Sequence, residues 1–223
     1  MIFSQPSSPR ESFPIQREQM VRSQLAERGI LDLRVLDAMR TVPRHEFVLE
    51  EFRDRAYEDY PLPIGEGQTI SQPYIVAAML EHLALRENDR VLEVGTGSGY
   101  VTALLSVLCA QVFSVERYAS LAESARATLV RLAYNNVALH VGDGTLGWSE
   151  GAPFDAILVS AATATVPPAL FEQLREGGRM ILPVGPAWSQ ELQLIRKVSG
   201  RAEITVLEGC RFVPLVAGLT NHQ

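Results

Sequence analysis

Short apolar runs and stretches with helical spacing take turns along this chain. Runs at Arg90–Val94, 112–115, Val137–Val141, Phe154–Val159 and 179–183 are apolar at almost every position, as strands buried on both faces are. Between the first two, Tyr100–Leu108 carries apolar residues at three- and four-residue intervals, the mark of a helix. Ahead of the last run, 168–175 predicts another helix, opened by Pro168 and stopped by Gly177 and Gly178. Nearer the N-terminus, Met20, Val21 and Leu25 share one face of a helix over 16–28, with Gly29 as its stop. A second helix runs from an Asp32 cap to Arg40, ahead of Pro43. Ser71 is expected to cap a third, with Pro73 in its first turn and its end at Leu83.

The segment 61–68, PLPIGEGQ, is too rich in proline and glycine to predict either regular structure, and 1–14, with its serines and prolines, predicts a mobile arm. Beyond the buried runs, 191–197 and 204–213 predict two more strands, paired like a hairpin at a sheet edge.

The stretch VLEVGTGSGY (91–100) joins a buried strand to a helix through Gly95, Gly97 and Gly99, residues that let the backbone turn sharply and approach a ligand closely. Strand, glycine turn and helix together open a doubly wound α/β nucleotide-binding fold. The turn lacks the Gly-Lys-Ser/Thr ending of a triphosphate loop. Its spacing is not that of a pyrophosphate turn, and Glu93 just before it is unwelcoming to phosphate. S-adenosylmethionine, an adenosyl ligand with an ammonium and a sulfonium and no phosphates, suits it better. A turn that merely packs a helix on a strand would share the pattern, and two later acids bear on the choice. Glu116 ends the second run about twenty residues past Gly95, where an acid accepts from ribose hydroxyls. Asp143, in the Gly142-Asp143-Gly144 turn after the third run, could take an adenine amino group. Either acid alone reads equally well as a solvated surface carboxylate. Acids or glycines at three successive strand ends fit a ligand better, because ligands of open α/β sheets bind there.

The chain has 223 residues, 47% of them hydrophobic and 21% charged, the balance of one globular domain. Within 15–223, residues 15–85 are expected to form a helical cover carrying the Ser71 turn, and 86–223 the cofactor-binding sheet with its C-terminal strands. A net charge of −6 argues against a nucleic-acid surface, which draws on clustered Lys and Arg. No apolar run predicts a membrane span and no leader pattern opens the chain. Cys109 and Cys210, far apart in sequence, read as reduced thiols in a cytoplasmic protein. The four histidines lack metal-ligand spacing, so no metal is expected.

With these motifs in view, the sequence resembles the protein-L-isoaspartate O-methyltransferase family from about 16 to 215. The resemblance rests on PIGEGQTISQPY (63–74), VLEVGTGSGY (91–100), GDG (142–144), FDAILVSAA (154–162), LPVG (182–185) and RFVPL (211–215). The first motif is the most specific. The resemblance implies a Rossmann-like methyltransferase with an N-terminal helical cover and an antiparallel edge, acting on flexible peptides and age-damaged proteins; the chain itself is expected to be a cytoplasmic monomer. The reaction implied is methyl transfer from S-adenosylmethionine to the free α-carboxylate of an L-isoaspartyl residue, leaving S-adenosylhomocysteine. The methyl ester then closes to a succinimide on the way to repair. The resemblance assigns activity to Ser71, and cofactor contacts to Gln72, Pro73 and Tyr74, besides Glu93, Gly95, Thr96, Gly97, Gly99, Glu116, Asp143 and Gly144. The sequence departs from the family pattern at 162–165 and Val216, departures that bear on how a substrate peptide is gripped and not on the reaction type.

The residues suit that chemistry. A carboxylate with a pKa of roughly 3.5 is already a nucleophile at neutral pH, and no general base stands in the motifs. An arginine on the carboxylate would stabilise the ground state more than the charge-dispersed transition state, and no Lys or Arg lies between Tyr60 and Leu85. A methyltransferase for a small-molecule acid or phenol, or a binding module that keeps the cofactor pocket, would share the glycine turn.

Overall fold

The computed structural model describes residues 9–218, with side chains from Phe13 onward. Its elements follow one another as cover helices, a small hairpin and a wound sheet. Helix α1 (Pro9–Gln19) continues through a π-helical segment to Leu25 and a 3₁₀ turn that ends at Gly29 (φ 100°). Residues 9–14 of the arm expected over 1–14 are helical, and Phe13 is buried and stacks on His45 at 4.1 Å between ring centroids. Residues 1–8 of the arm lie outside the described residues. Helix α2 (Leu33–Thr41) starts as expected at Asp32, whose carboxylate accepts from Arg34 N and Val35 N.

Residues 61–68 hold more order than their prolines and glycines predict. Strands β1 (Leu62–Gly65) and β2 (Gln68–Ile70) pair antiparallel. Leu62, Ile64 and Ile70 are buried, so a period-two apolar pattern on a two-stranded edge outweighs the proline. Helix α3 (Pro73–Leu83) follows.

The main sheet comprises β3 (Arg90–Val94), β4 (Gln111–Glu116), β5 (Val137–Val141), β6 (Phe154–Val159), β7 (Leu174–Val184), β8 (Gln190–Val198) and β9 (Arg201–Cys210), in the order β5-β4-β3-β6-β7-β8-β9. Pairs from β5 to β7 are parallel; β8 and β9 run antiparallel as an edge hairpin. Helices α4 (Tyr100–Leu108), α5 (Ala119–Arg131) and α6 (Pro168–Gln173) connect the parallel strands. The expected strand over 179–183 is longer than predicted. Helix α6 stops at Gln173, and Gly177 and Gly178 lie inside β7 at a register shift against β6.

Alternate residues divide the core between the two faces of the sheet. Val91, Val112, Leu158 and Ile181 pack with α3, α4 and the cover, whereas Leu92, Phe113, Ile157 and Met180 pack with Leu170 of α6. This is why the strands read as continuous apolar runs. Tertiary contacts tie the cover to the sheet layer. Glu81 of α3 accepts from Leu31 N and Asp32 N at 2.6 and 2.7 Å. Arg179 of β7, buried beside Asp89, donates to the carbonyls of Leu83 and Ala84 at the end of α3. The chain leaves β3 toward β4 and β5 and returns for β6, so the strand order reverses between β3 and β6. That is where an open α/β sheet offers a crevice.

Candidate active site

A cleft of about 790 Å³, its open mouth included, lies over the carboxyl ends of β3, β4 and β6. Its walls are residues 68–71, 94–98, 115–118 and 160–161, with Gly144 and the C-terminal residues 213–216. The glycine turn takes left-handed backbone at Gly95, Gly97 and Gly99. At Gly97 (φ 54°) a Cβ would also come 3.1 Å from Ile64 Cδ1, so a side chain there meets both backbone strain and the β1 wall. Gly144 is needed for space: a Cβ would sit 2.5 Å from Val94 Cγ1.

Glu116 is buried at the end of β4, and its carboxylate accepts from Gly97 N (2.9 Å) and Tyr118 N (3.0 Å). It thereby fixes the glycine turn and keeps an acid on the cleft wall. Glu93 lies elsewhere. Its side chain is fully buried beneath the turn, where Thr102 Oγ1 and Ser114 Oγ approach one carboxyl oxygen at 2.5 and 2.6 Å, and among the described residues the other oxygen has no partner. Burial pushes its pKa up to about 8, with the two hydroxyls opposing and Glu116 adding to the rise. Ser114 in turn meets Thr96 Oγ1 at 2.5 Å, so Glu93 buttresses the turn from below. Asp143 is also engaged by the chain itself: Thr145 N and Oγ1 donate to one oxygen and Gly218 N to the other.

A second groove opens beside the first. Arg28, Pro61, Gln72, Tyr74 and Ile75 line one side, and residues 208–214 the other. Thr69, Ser71, Ser160, Val213 and Pro214 line both cavities, so the two meet at Ser71. Gln72 and Tyr74 face this second groove, and Pro73 is buried at the start of α3; none of the three lines the first cleft. The expected Ser71 cap is also replaced. Gln72 occupies the cap position without a side-chain cap bond, and Tyr74 N donates to Asp59 Oδ1 at 3.1 Å. Among the described residues the Ser71 hydroxyl makes no hydrogen bond.

Ser160 was not singled out from sequence as a site residue, and residues 213–216 of the C-terminal wall were read only as part of a family motif and as a departure from it. Ser160 follows β6 at the strand-order reversal, and that position is the signal that could have found it. The wall forms because Ala162 N donates to Val213 O and Leu215 N to Ala162 O, which lays residues 213–215 along the segment after β6.

The glycine turn with an acid at the end of the next strand, over a reversal in strand order and without a phosphate-binding lysine, defines an S-adenosylmethionine-dependent methyltransferase. The comparisons narrow the class. The family model described as protein-L-isoaspartate(D-aspartate) O-methyltransferase matches residues 15–220. A Koribacter versatilis protein-L-isoaspartate O-methyltransferase is 55% identical over 204 residues, 92% of each chain. A solved protein-L-isoaspartate O-methyltransferase is 32% identical, with TM-score 0.83, covering 92% of this chain and 67% of that one. A Plasmodium falciparum structure described as this enzyme in complex with S-adenosyl-L-homocysteine is 28% identical, with TM-score 0.79, over 90% and 98%. The chain belongs to the protein-L-isoaspartate(D-aspartate) O-methyltransferase family, enzymes that use S-adenosylmethionine to methylate isoaspartyl residues.

Proposed function

We propose that the first cleft holds S-adenosylmethionine, that the second groove receives the damaged peptide, and that Ser71 at their junction positions the isoaspartyl α-carboxylate. The observation that carries this reading is the meeting of the two cavities at a hydroxyl not used as a helix cap. The cleft, whose wall includes Gly95, Thr96, Gly97 and Gly144, has room for an adenosyl group, with Gly95, Thr96 and Gly97 against the ligand and Gly99 shaping the turn. Glu116 is the acceptor for ribose hydroxyls and Gly144 bounds the base end; Asp143, outside the cleft lining, braces that end through Thr145 and Gly218 N, and Glu93 supports the turn from beneath.

S-adenosylmethionine supplies an electrophilic methyl carbon on a sulfonium. The residues around Ser71 have no proton to remove, because the substrate carboxylate is ionised well below neutrality. Their task is alignment, and holding reacting atoms in near-attack geometry accounts for much of such an acceleration. The Ser71 hydroxyl donates to one carboxylate oxygen and leaves the other free to attack. As a neutral donor it gives up less than a cation would when the charge disperses. Two arginines line the groove: Arg28 is paired with Asp59, and Arg211 lies in the segment 208–214.

The groove along residues 208–214 suits an extended, flexible peptide, which makes unfolded or age-damaged segments the substrates. We read the enzyme as a single-domain monomer of the cytoplasm. The two unbridged cysteines support a reducing compartment, and no described helix is long and apolar enough to cross a membrane.

The test is methyl incorporation into an isoaspartyl peptide and its aspartyl twin by the parent and Ser71→Ala. The expected result is transfer to the isoaspartyl peptide only, with turnover in Ser71→Ala reduced roughly tenfold or more and the melting temperature unchanged. A Ser71→Ala enzyme with full turnover would remove Ser71 from the site.

A further inference from the structure

The substrate side of the site hangs on a carboxylate that no motif above contains. Asp59 precedes the β1–β2 hairpin, yet its side chain reaches the start of α3. One oxygen accepts from Tyr74 N at 3.1 Å; the other accepts from Gln72 Nε2 at 2.8 Å and from Arg28 Nη1. The Arg28 guanidinium in turn covers the Tyr74 ring at 3.7 Å. A single carboxylate thus joins the last turn of the first cover helix to Gln72 and Tyr74, one and three residues past Ser71.

The segment carrying Asp59 is itself anchored from three directions. Gln24 Nε2 donates to Tyr57 O at 2.9 Å, and the buried Arg44 Nε donates to Ala56 O at 2.7 Å. The Tyr57 hydroxyl pairs with His45 Nδ1 at 2.7 Å. A carboxylate on a braced backbone can hold a helix end in place, whereas one on a loose loop would follow it. It also takes over the work of a helix cap, so that the Ser71 hydroxyl is not drawn onto the α3 N–H groups.

We infer that Asp59 is a positioning residue for methyl transfer: bridging Arg28, Gln72 and Tyr74 N, it fixes the backbone at the start of α3 and so the direction of the Ser71 hydroxyl. The inference rests on the reading of Ser71 as the group that touches the substrate carboxylate. It also gives the N-terminal cover a part in the chemistry, since Arg28, Gln24, Arg44 and His45 all belong to the cover.

Asp59→Asn is the informative variant, because the side chain keeps an acceptor for Tyr74 N while its amide opposes Gln72 Nε2 and loses the charge pair with Arg28. The full chain is assayed with an isoaspartyl peptide as parent, Asp59→Asn, Ser71→Ala and the double variant. Binding of S-adenosylhomocysteine is measured by calorimetry on each. Expected are a kcat lower by roughly ten- to a hundredfold in Asp59→Asn, the effect of a misplacement of about an ångström, and cofactor affinity within twofold of the parent. In the Ser71→Ala background the same substitution should lower kcat less than threefold further. Asp59→Glu, which can restore the charge pair, should recover part of kcat. A variant that melts earlier but turns over like the parent makes Asp59 merely structural and overturns the proposal. A full, independent loss in the Ser71→Ala background also overturns it while leaving the role of Ser71 intact. An active Ser71→Ala enzyme, by contrast, defeats the reading beneath it. Should Asp59→Asn fail to fold, Gln72→Met, which removes one of the three donors and keeps the Arg28 pair, is read by the same criteria.

Discussion

Replacing Glu93 by Gln tests whether the glycine turn rests on a neutral acid. In the folded chain this carboxyl is fully buried, has hydroxyl neighbours at one oxygen only, and holds its proton up to about pH 8. An ionised form would leave a buried oxygen without a donor, which costs heavily. In the unfolded chain the same group titrates at its ordinary value of 4.5. Between these two values the unfolded state binds fewer protons than the folded one, so stability falls as pH rises. Below the lower value the group costs nothing; above the upper the cost is constant. Each unit inside the window is worth about 1.4 kcal/mol. From about pH 5.5 to 7.5 the parent should therefore lose about 2–3 kcal/mol through this one group.

Gln is nearly isosteric with the protonated acid and keeps a donor toward Ser114 or Thr102, but it does not titrate. Urea unfolding of parent and Glu93→Gln at several pH values gives the difference in unfolding free energy, in which all other titrating groups cancel. The expected outcome is a difference that moves in favour of Gln by on the order of 1 kcal/mol per pH unit across the window. A difference independent of pH would refute the neutral-acid reading. A difference that moves the other way would mean that Glu93 is folded as a carboxylate with donors that the packing around it does not contain.

Two further outcomes concern ligand and rate. Gly97→Ala, strained by roughly 1–2 kcal/mol at its left-handed backbone and crowding Ile64, should fold yet bind S-adenosylhomocysteine more weakly by calorimetry. Glu116→Ala should lose about 1.5–3 kcal/mol of binding free energy, and unchanged affinity in both would detach the turn from the site. The rate on an isoaspartyl peptide, followed by trapping the methyl ester under saturating cofactor, should be flat from about pH 6 to 7.5 because the nucleophile ionises near 3.5. A tenfold rise per unit would instead demand a base, and among the described residues no histidine lines either cavity.

Most of the sheet was legible in the sequence, because strands covered on both faces leave an apolar run that chain order alone locates. The place of Glu116 on the cleft wall was legible for a related reason: it sits at the end of a strand next to the glycine turn. Glu93 was harder. Period two sends its side chain off β3 in one of two directions, and only the packing of α4 and β4 shows that Thr102 and Ser114 wait there. The β1–β2 hairpin was hidden by its prolines and glycines, which break structure in general but are tolerated on a two-stranded edge. Ser71 looked like a cap because it stands just ahead of Pro73. The donor that a cap would have satisfied is taken by Asp59, a residue whose distance along the chain puts it outside any local capping pattern.

That displaced cap bears on how such a site is built. In the proposed site the cofactor side is made from strand ends, whose positions are set by the ladder and by the buried faces of the sheet. The substrate side is a turn between a two-stranded hairpin and a helix, and neither has a ladder to the main sheet. Its rigidity comes from elsewhere: Arg179 and Glu81 hold α3 against β7 and α2, and Asp59 holds its beginning against the first cover helix. A hydroxyl that must stay unpaired for a substrate cannot also secure its own backbone. Moving the capping function to a distant carboxylate separates the two tasks, and it makes the cover, remote from the cofactor, a determinant of where Ser71 points.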